Sequence, residues 1–285
     1  MPDKPRVFRL LTCRNISEPD VDAEPLLAAM QARGCDTSWV AWEDVAEPEP
    51  DATYVLRSTW NYFEFLDAFL EKMKLIADKA KLVNALPIVA WNVDKAYLGE
   101  LANEGFVVTE TKYVARGATG TLSSLMNEHG FVDVVVKPRV SAGSFGTQRF
   151  RLSEGIDEKM FRSMSEERDL MVQPYLSSVD GYGERAIVLF DGKVSHACRK
   201  SPRFAGGVEV TVPVPVAPEE RVFAEKLVAW VSRRFGTTPA FARVDVARNA
   251  KDEPCLMELE LSEPSLYLES AEGIMRRFVD TLLAT

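Results

Sequence analysis

Two apolar segments near the C-terminus carry ionisable residues at alternate positions. In ARVDV, Arg243 and Asp245 are two apart, and in MELEL so are Glu258 and Glu260. Residues two apart on a strand share a face. A polar turn over Asn249–Glu253 would fold the segments into a hairpin and set Asp245 roughly across from Glu258. Carboxylate oxygens grouped in this way suit a hard cation such as Mg²⁺, which shares its coordination shell with water and phosphates. The same alternation also describes an ordinary solvated sheet face.

A second chemical segment is VDVVVKPRVSAGSFGT, Val132–Thr147. An apolar strand delivers Lys137 at its exit, and a loop of small residues with Gly143 and Gly146 follows. Such a loop can turn backbone N–H groups toward phosphate oxygens while the lysine supplies a point charge. No Gly-Lys-Ser/Thr follows the glycines, so this is not a Walker A loop, and by itself it reads equally as a turn. A third segment, LMVQPYL over Leu170–Leu176, is an apolar strand meeting a proline-stiffened stretch. It could offer backbone groups to an adenine edge, or simply be buried.

These segments need a scaffold. The opening third alternates strand and helix: strands at Arg6–Thr12, Thr37–Trp42 and Ala52–Arg57, helices at Pro25–Arg33 and Phe63–Lys79. That order predicts a parallel α/β layer. Asn92 is placed to cap a helix running to about Glu104. A strand over Phe106–Tyr113, a helix over Gly120–His129 and the strand Asp133–Lys137 follow. Beyond Leu170 the pattern turns mainly to β, with Asp191-Gly192 joining Gly183–Phe190 to Lys193–Lys200 as a hairpin. A helix over Pro218–Phe235 precedes the carboxylate hairpin, and a last helix starts near Ser270. With a two-residue turn, His196, Cys198 and Lys200 would face the same way as Arg185. His196 then serves either packing or substrate contact, and Trp60 and Tyr62 either core or pocket.

The composition narrows the function. The 285 residues include 34 Lys and Arg against 43 Asp and Glu, a net charge of −9. With no Lys/Arg cluster to track a phosphate backbone, nucleic acid is not an expected partner. The four cysteines are dispersed without CxxC spacing, which suits a reducing compartment. No signal segment and no membrane-length apolar run is apparent, so a cytoplasmic location is expected.

Taken in order, six segments resemble the ATP-grasp carboxylate–amine ligases. They are WNVDK (Trp91–Lys95), VVVKPRVSAGSFG (Val134–Gly146), VQPYL (Val172–Leu176), GERAIVLFDGKVSHACRK (Gly183–Lys200), ARVDV (Ala242–Val246) and MELELSEPS (Met257–Ser265). The resemblance lies in the branch of glutathione synthetase and the ribosomal-protein glutamate ligases, and within it is closest to the cyclo-ligase type that forms cycloserine. RSTWNY (Arg57–Tyr62) resembles part of that branch's pre-ATP-grasp domain.

The resemblance implies an α/β fold: a two-layer α+β ATP-grasp unit with an N-terminal parallel α/β pre-ATP-grasp domain. It divides the chain at 1–85, 86–169 and 170–285. It implies ATP and Mg²⁺, or Mn²⁺, as cofactors, and small-molecule carboxylate and amine substrates, and it admits a homodimer. Lys95 and Lys137 would hold α- and β-phosphates, and Ser141, Gly143, Ser144 and Gly146 would close over the triphosphate. Gln173, Tyr175 and Leu176 would lie along the adenine. Asp245, Glu258 and Glu260 would carry the metal, Arg243 would steady charge on an acyl phosphate, and Arg185 and Lys200 would face the substrate. The family commonly has Glu-x-Asn where this chain has Glu258-Leu259-Glu260. The segment 201–210 lacks an expected arginine-bearing strand. The reaction implied is activation of an amino-acid-like carboxylate as an acyl phosphate for attack by an amine, including an intramolecular one. A small-molecule kinase or an ATP-binding regulatory protein are the alternatives.

Overall fold

The computed structural model describes residues 4–201 and 210–285. Three sheets organise the chain. The first is built from β1 (Val7–Thr12), α1 (Ala23–Ala32), β2 (Asp36–Ala41), β3 (Ala52–Ser58), α2 (Leu66–Lys79) and β4 (Lys81–Val83). Its strands are all parallel, in the order β2-β1-β3-β4. β3 is buried along its whole length, as expected of a strand covered on both faces.

Next come two short helices, α3 (Leu86–Asn92) and α4 (Tyr97–Asn103). The single helix expected from Asn92 to Glu104 is therefore broken, and Asn92 caps nothing. Pro87 lies in the first turn of α3, where its missing N–H costs nothing. The buried Asn92 amide instead donates to Leu259 O at 2.8 Å and accepts from Leu261 N at 2.6 Å. It ties the helix pair to the carboxylate hairpin.

The second sheet comprises β5 (Lys112–Val114), β6 (Asp133–Pro138), β7 (Gln148–Arg151) and β8 (Leu170–Pro174), with α5 (Leu122–His129) after β5 and α6 (Glu158–Glu167) before β8. It is antiparallel, in the order β5-β8-β6-β7. The β8 strand, on the far side of the division expected at 169/170, pairs with β5 and β6 and so belongs with this sheet. Only the last part of the strand expected over Phe106–Tyr113 forms.

The third sheet follows α7 (Ser178–Gly181). It contains β9 (Glu184–Phe190), β10 (Lys193–Lys200), β11 (Thr211–Val214), β12 (Phe241–Arg248) and β13 (Pro254–Glu260), with α8 (Pro218–Phe235) crossing over and α9 (Ile274–Ala284) closing the chain. The order is β11-β10-β9-β12-β13, antiparallel throughout. The β9–β10 turn has Asp191 at φ 47° and Gly192 at φ 71°, the left-handed pair that an Asp-Gly hairpin turn requires.

This sheet is covered on both faces. Ile187, Leu189, Val244 and Val246 pack against Leu227, Val228 and Val231 of α8 and Leu98 and Leu101 of α4. On the other face Val188, Phe190 and Phe241 meet Phe8 and Leu10 of β1 and Phe278 of α9. Phe278 is fully buried here, and truncating such a side chain typically costs about 3–5 kcal/mol through lost transfer energy and the cavity left behind. The N-terminal sheet is thus fused to the third sheet by a common core. Among the described residues no helix is long and apolar enough to cross a membrane.

Candidate active site

Where the three sheets converge lies a cleft of about 320 Å³. Its floor is the hairpin β12–β13. The register sets Asp245 opposite Glu258 and Arg243 opposite Glu260, as the alternation of the sequence predicts. Its inner half is not solvated, however, because Asp245 is 0% and Arg243 7% exposed, while Glu258 and Glu260 edge the cleft. Covering it with the N-terminal sheet converts a charged sheet face into a dry floor.

Buried charges require partners, and each of these has one. The guanidinium of Arg243 donates to Asp245 Oδ1 at 2.9 Å and to Glu260 Oε1 at 2.5 Å. Lys200 Nζ reaches Asp245 at 2.6 Å and Glu184 at 2.5 Å. Burial alone would raise the Asp245 carboxyl, but Arg243 and Lys200 outweigh it and bring it down to about 2. Glu258 lies between Lys95 Nζ at 3.3 Å and Lys137 Nζ at 3.6 Å. These two lysines likewise outweigh burial and bring Glu258 down to about 2.

The two lysines come from different elements. Lys137 leaves β6, whereas Lys95 sits in the turn between α3 and α4, fixed by its N–H to Arg139 O at 3.1 Å. Lys95 Nζ also donates to Ser141 O at 2.5 Å, at the start of the glycine loop. In that loop Gly143, Ser144 and Gly146 all have positive φ. At Gly146 a Cβ would approach Pro138 to 3.1 Å, so the loop turns back tightly over β6.

The loop leans on the N-terminal unit. Tyr62 Oη donates to Ser141 O at 3.2 Å, and Phe145 stacks on Phe63 with ring centroids 4.6 Å apart. Arg168 lies over both rings, at 5.4 and 5.2 Å. At the far end of the cleft, Gln173 donates to Thr111 Oγ1 at 2.9 Å, and Tyr175 donates to Asp180 at 2.5 Å. The Arg149 guanidinium lies 3.3 Å from the Tyr175 ring centroid.

The cleft therefore brings together Lys95, Lys137, Ser141, Gly143, Ser144, Gln173, Tyr175, Leu176, Lys200, Arg243, Glu258 and Glu260. Asp245 lies directly beneath, and Gly146 turns the loop without lining the cleft. Arg185 is not part of it. A bulge at Ser195 puts His196 opposite Val188 and Lys200 opposite Glu184, leaving Arg185 paired with Arg199. One extra residue exchanges the faces of everything beyond it, so Glu184 takes the place expected of Arg185. Arg185 packs over the Tyr182 ring at 4.3 Å. His196 faces Leu266 O at 2.8 Å and Ser195 Oγ at 3.0 Å. Burial pushes it down to about 4, so it is a neutral packing residue. Of the segment 201–210, residues 202–209 lie outside the described residues.

Sequence reasoning missed Glu184, Glu263 and the buried pair Arg57–Asp22, 3.5 Å apart. Glu184 was hidden by the bulge. Glu263 was visible only as part of SEPS, with nothing local to mark it as buried.

The donor chemistry fits magnesium. Glu258 and Glu260 present hard oxygens to the cleft, and Asp245 stands opposite Glu258. Among the described residues no group of three or more His, Cys, Asp or Glu side chains could hold a metal by protein ligands alone. Magnesium bound through one or two carboxylates and a nucleotide's phosphates does not need such a cage.

Comparison with known proteins places the chain in a family. Residues 9–84 match the family described as D-cycloserine synthetase DcsG, N-terminal domain. The cycloserine biosynthesis protein DcsG of Streptomyces lavendulae is 31% identical over 278 residues, 92% of this chain and 93% of that protein. The crystal structure of D-cycloserine synthetase DcsG superimposes with a TM-score of 0.87 at 29% identity, covering 98% of this chain and 99% of that one. D-alanine–D-alanine ligase from Bacillus anthracis, solved with ATP, shares the fold at a TM-score of 0.69 and 17% identity, covering 98% of this chain and 97% of that one. ATP-grasp ligases use ATP and Mg²⁺ to join a carboxylate to an amine, releasing ADP. This chain belongs to the D-cycloserine synthetase (DcsG) family of ATP-grasp ligases.

Proposed function

We propose that the cleft converts a small, amino-acid-like carboxylate into an acyl phosphate at the expense of ATP, and that an amine of the same or a second molecule then displaces the phosphate. The observation that carries this reading is the convergence of Lys95 and Lys137 on Glu258 beneath the 141–146 loop. Two cations from separate elements face one carboxylate at the place where a loop can close.

A carboxylate approaching the γ-phosphate meets repulsion between anions. Lys95 and Lys137, holding the α- and β-phosphates, lower it by fixed positive charge. Asp245, Glu258 and Glu260 would hold Mg²⁺, or Mn²⁺ in its place, and the ion supplies charge neutralisation between carboxylates and phosphates. Gln173, Tyr175 and Leu176 would lie along the adenine. Arg243, locked by Asp245 and Glu260, presents its guanidinium where charge develops on the acyl phosphate and the tetrahedral intermediate. Lys200 acts through Asp245 by holding it ionised, and thereby positions Arg243. Closure of the loop, with Phe145 seated on Phe63, keeps water from the acyl phosphate. The relatives' names favour the intramolecular form, in which one substrate supplies both carboxyl and nitrogen and the product is a ring.

The test is ADP release with ATP, Mg²⁺ and a panel of carboxylates, with hydroxylamine added to trap an acyl phosphate as its hydroxamate. Carboxylate-dependent ADP and hydroxamate are expected. AMP as the main nucleotide product would refute the reading, and ADP formation unaffected by any acceptor would make the protein a carboxylate kinase.

A further inference from the structure

Beyond β13 the chain runs through 261–268 with little regular structure, yet it is held firmly. Four successive carbonyls accept hydrogen bonds from side chains of other elements. Trp60 donates to Glu263 O at 3.0 Å, Arg57 to Pro264 O at 3.1 Å, Arg243 to Ser265 O at 3.2 Å and His196 to Leu266 O at 2.8 Å. Asp22 accepts from Leu268 N at 2.8 Å. A segment fixed in this way presents its side chains in one orientation.

What it presents to the cleft is Glu263, only 8% exposed. Asp20, on the N-terminal side of the cleft, has no ion pair among the described residues, but the carboxylates of the neighbouring strands β9, β12 and β13 all have cations. Glu184 and Asp245 have Lys200, Glu258 has Lys95 and Lys137, and Glu260 has Arg243. Among the described residues, no lysine or arginine forms an ion pair with Glu263, and no other side chain hydrogen-bonds its carboxylate. Lys95, the nearest cationic influence on it, is committed to Ser141 O and Glu258.

Burying a carboxylate without a counter-charge is costly, and this one sits on a rigid platform facing a ligand cleft. A buried carboxylate without a cation, beside strands whose carboxylates are charge-paired, suits a compact organic cation with several N–H donors. Trp60, hydrogen-bonded to the backbone of Glu263 and lining the same cleft, adds an aromatic face of the kind ammonium groups favour.

We infer that Glu263 is the subsite for the ammonium group of a zwitterionic amino-acid substrate, the molecule whose carboxyl is activated. The inference rests on the ligase reading above and names the residue that would hold the ammonium group of its amino-acid-like substrate. Glu263 is then a specificity-determining residue.

The experiment pairs acids that differ only by ammonium against hydroxyl: serine with glycerate and alanine with lactate, in both hands. ADP release is measured with ATP, Mg²⁺ and hydroxylamine, for wild type, Glu263→Gln and Glu263→Asp. Wild type should prefer the ammonium-bearing member of a pair at least tenfold in kcat/KM. Glu263→Gln should lose most of that preference with the KM for ATP unchanged, and Glu263→Asp should keep part of it. Glu263→Gln retaining the full preference overturns the inference. So does a shifted Mg²⁺ requirement with preference intact, which would make Glu263 a metal ligand. If wild type releases ADP with acids of both kinds equally, the inference fails while the ligase reading stands. If no acid of either kind stimulates release, it is the ligase reading that fails.

Discussion

Replacing Asp245 by Asn removes one charge from a fully buried position. The side chain is 0% exposed and takes Arg243 Nε at 2.9 Å, Arg243 Nη2 at 2.9 Å and Lys200 Nζ at 2.6 Å. The amide keeps the shape but not the charge, and its NH₂ group cannot accept what one carboxylate oxygen accepted. Arg243 retains Glu260 and Lys200 retains Glu184, so neither cation is wholly stranded. Breaking a buried pair by removing one partner typically costs about 3–5 kcal/mol, and the surviving partners place this case near about 3 kcal/mol. For a protein of this size that is roughly 5–10 °C in Tm. Thermal melts in EDTA are the assay, so that metal binding does not enter. Asp245→Asn melting within about 1 °C of wild type would refute the reasoning, since the floor would then be effectively solvated.

Three further outcomes follow from the same geometry. Lys137→Ala should weaken ATP binding by at least tenfold in calorimetric titration, with Lys95 left to hold Glu258 so that the fold survives; equal affinity would remove the lysine from the phosphate site. Phe145→Ala should loosen the loop, because a stacked aromatic pair is worth about 1 kcal/mol beyond its buried area; limited proteolysis at 141–146 should accelerate several-fold, and an unchanged rate would show that the Phe63 contact holds nothing. The third concerns Glu263, whose carboxyl burial pushes from 4.5 up to about 7, despite Lys95 nearby. Between those pH values the folded state keeps a proton that the unfolded chain has lost, so wild-type stability should fall as pH rises from about 4.5 to about 7, by about 3 kcal/mol. Glu263→Gln should lack this loss, matching wild type at pH 4 and exceeding it at pH 8 in urea titrations; a constant difference across that range would contradict the shift.

Much of this molecule could be read from its sequence. Strand–helix alternation over residues 6–79 announced a parallel layer, because period and turn chemistry are local properties. Asp191-Gly192 announced its hairpin for the same reason. The pairing of Asp245 with Glu258 followed from alternation and one turn position. Lys95, Lys137 and the glycine loop could be named because their order along the chain resembles a family.

Three matters were decided only in three dimensions. Whether the Arg243–Asp245 face was solvated depended on Phe8, Leu10 and Phe278, which cover the rest of that sheet face from elements more than 150 residues apart. The identity of the residue facing Lys200 turned on a bulge at Ser195 that carries no strong sequence mark, and it exchanged Arg185 for Glu184. Asn92 has the residue type of a helix cap, yet it bonds Leu259 and Leu261, 167 and 169 residues away. Local propensity is set by a few neighbouring dihedrals. Burial, register and long-range hydrogen bonds depend on which distant surfaces meet, and those also left Glu263 buried, without a cation, facing the cleft.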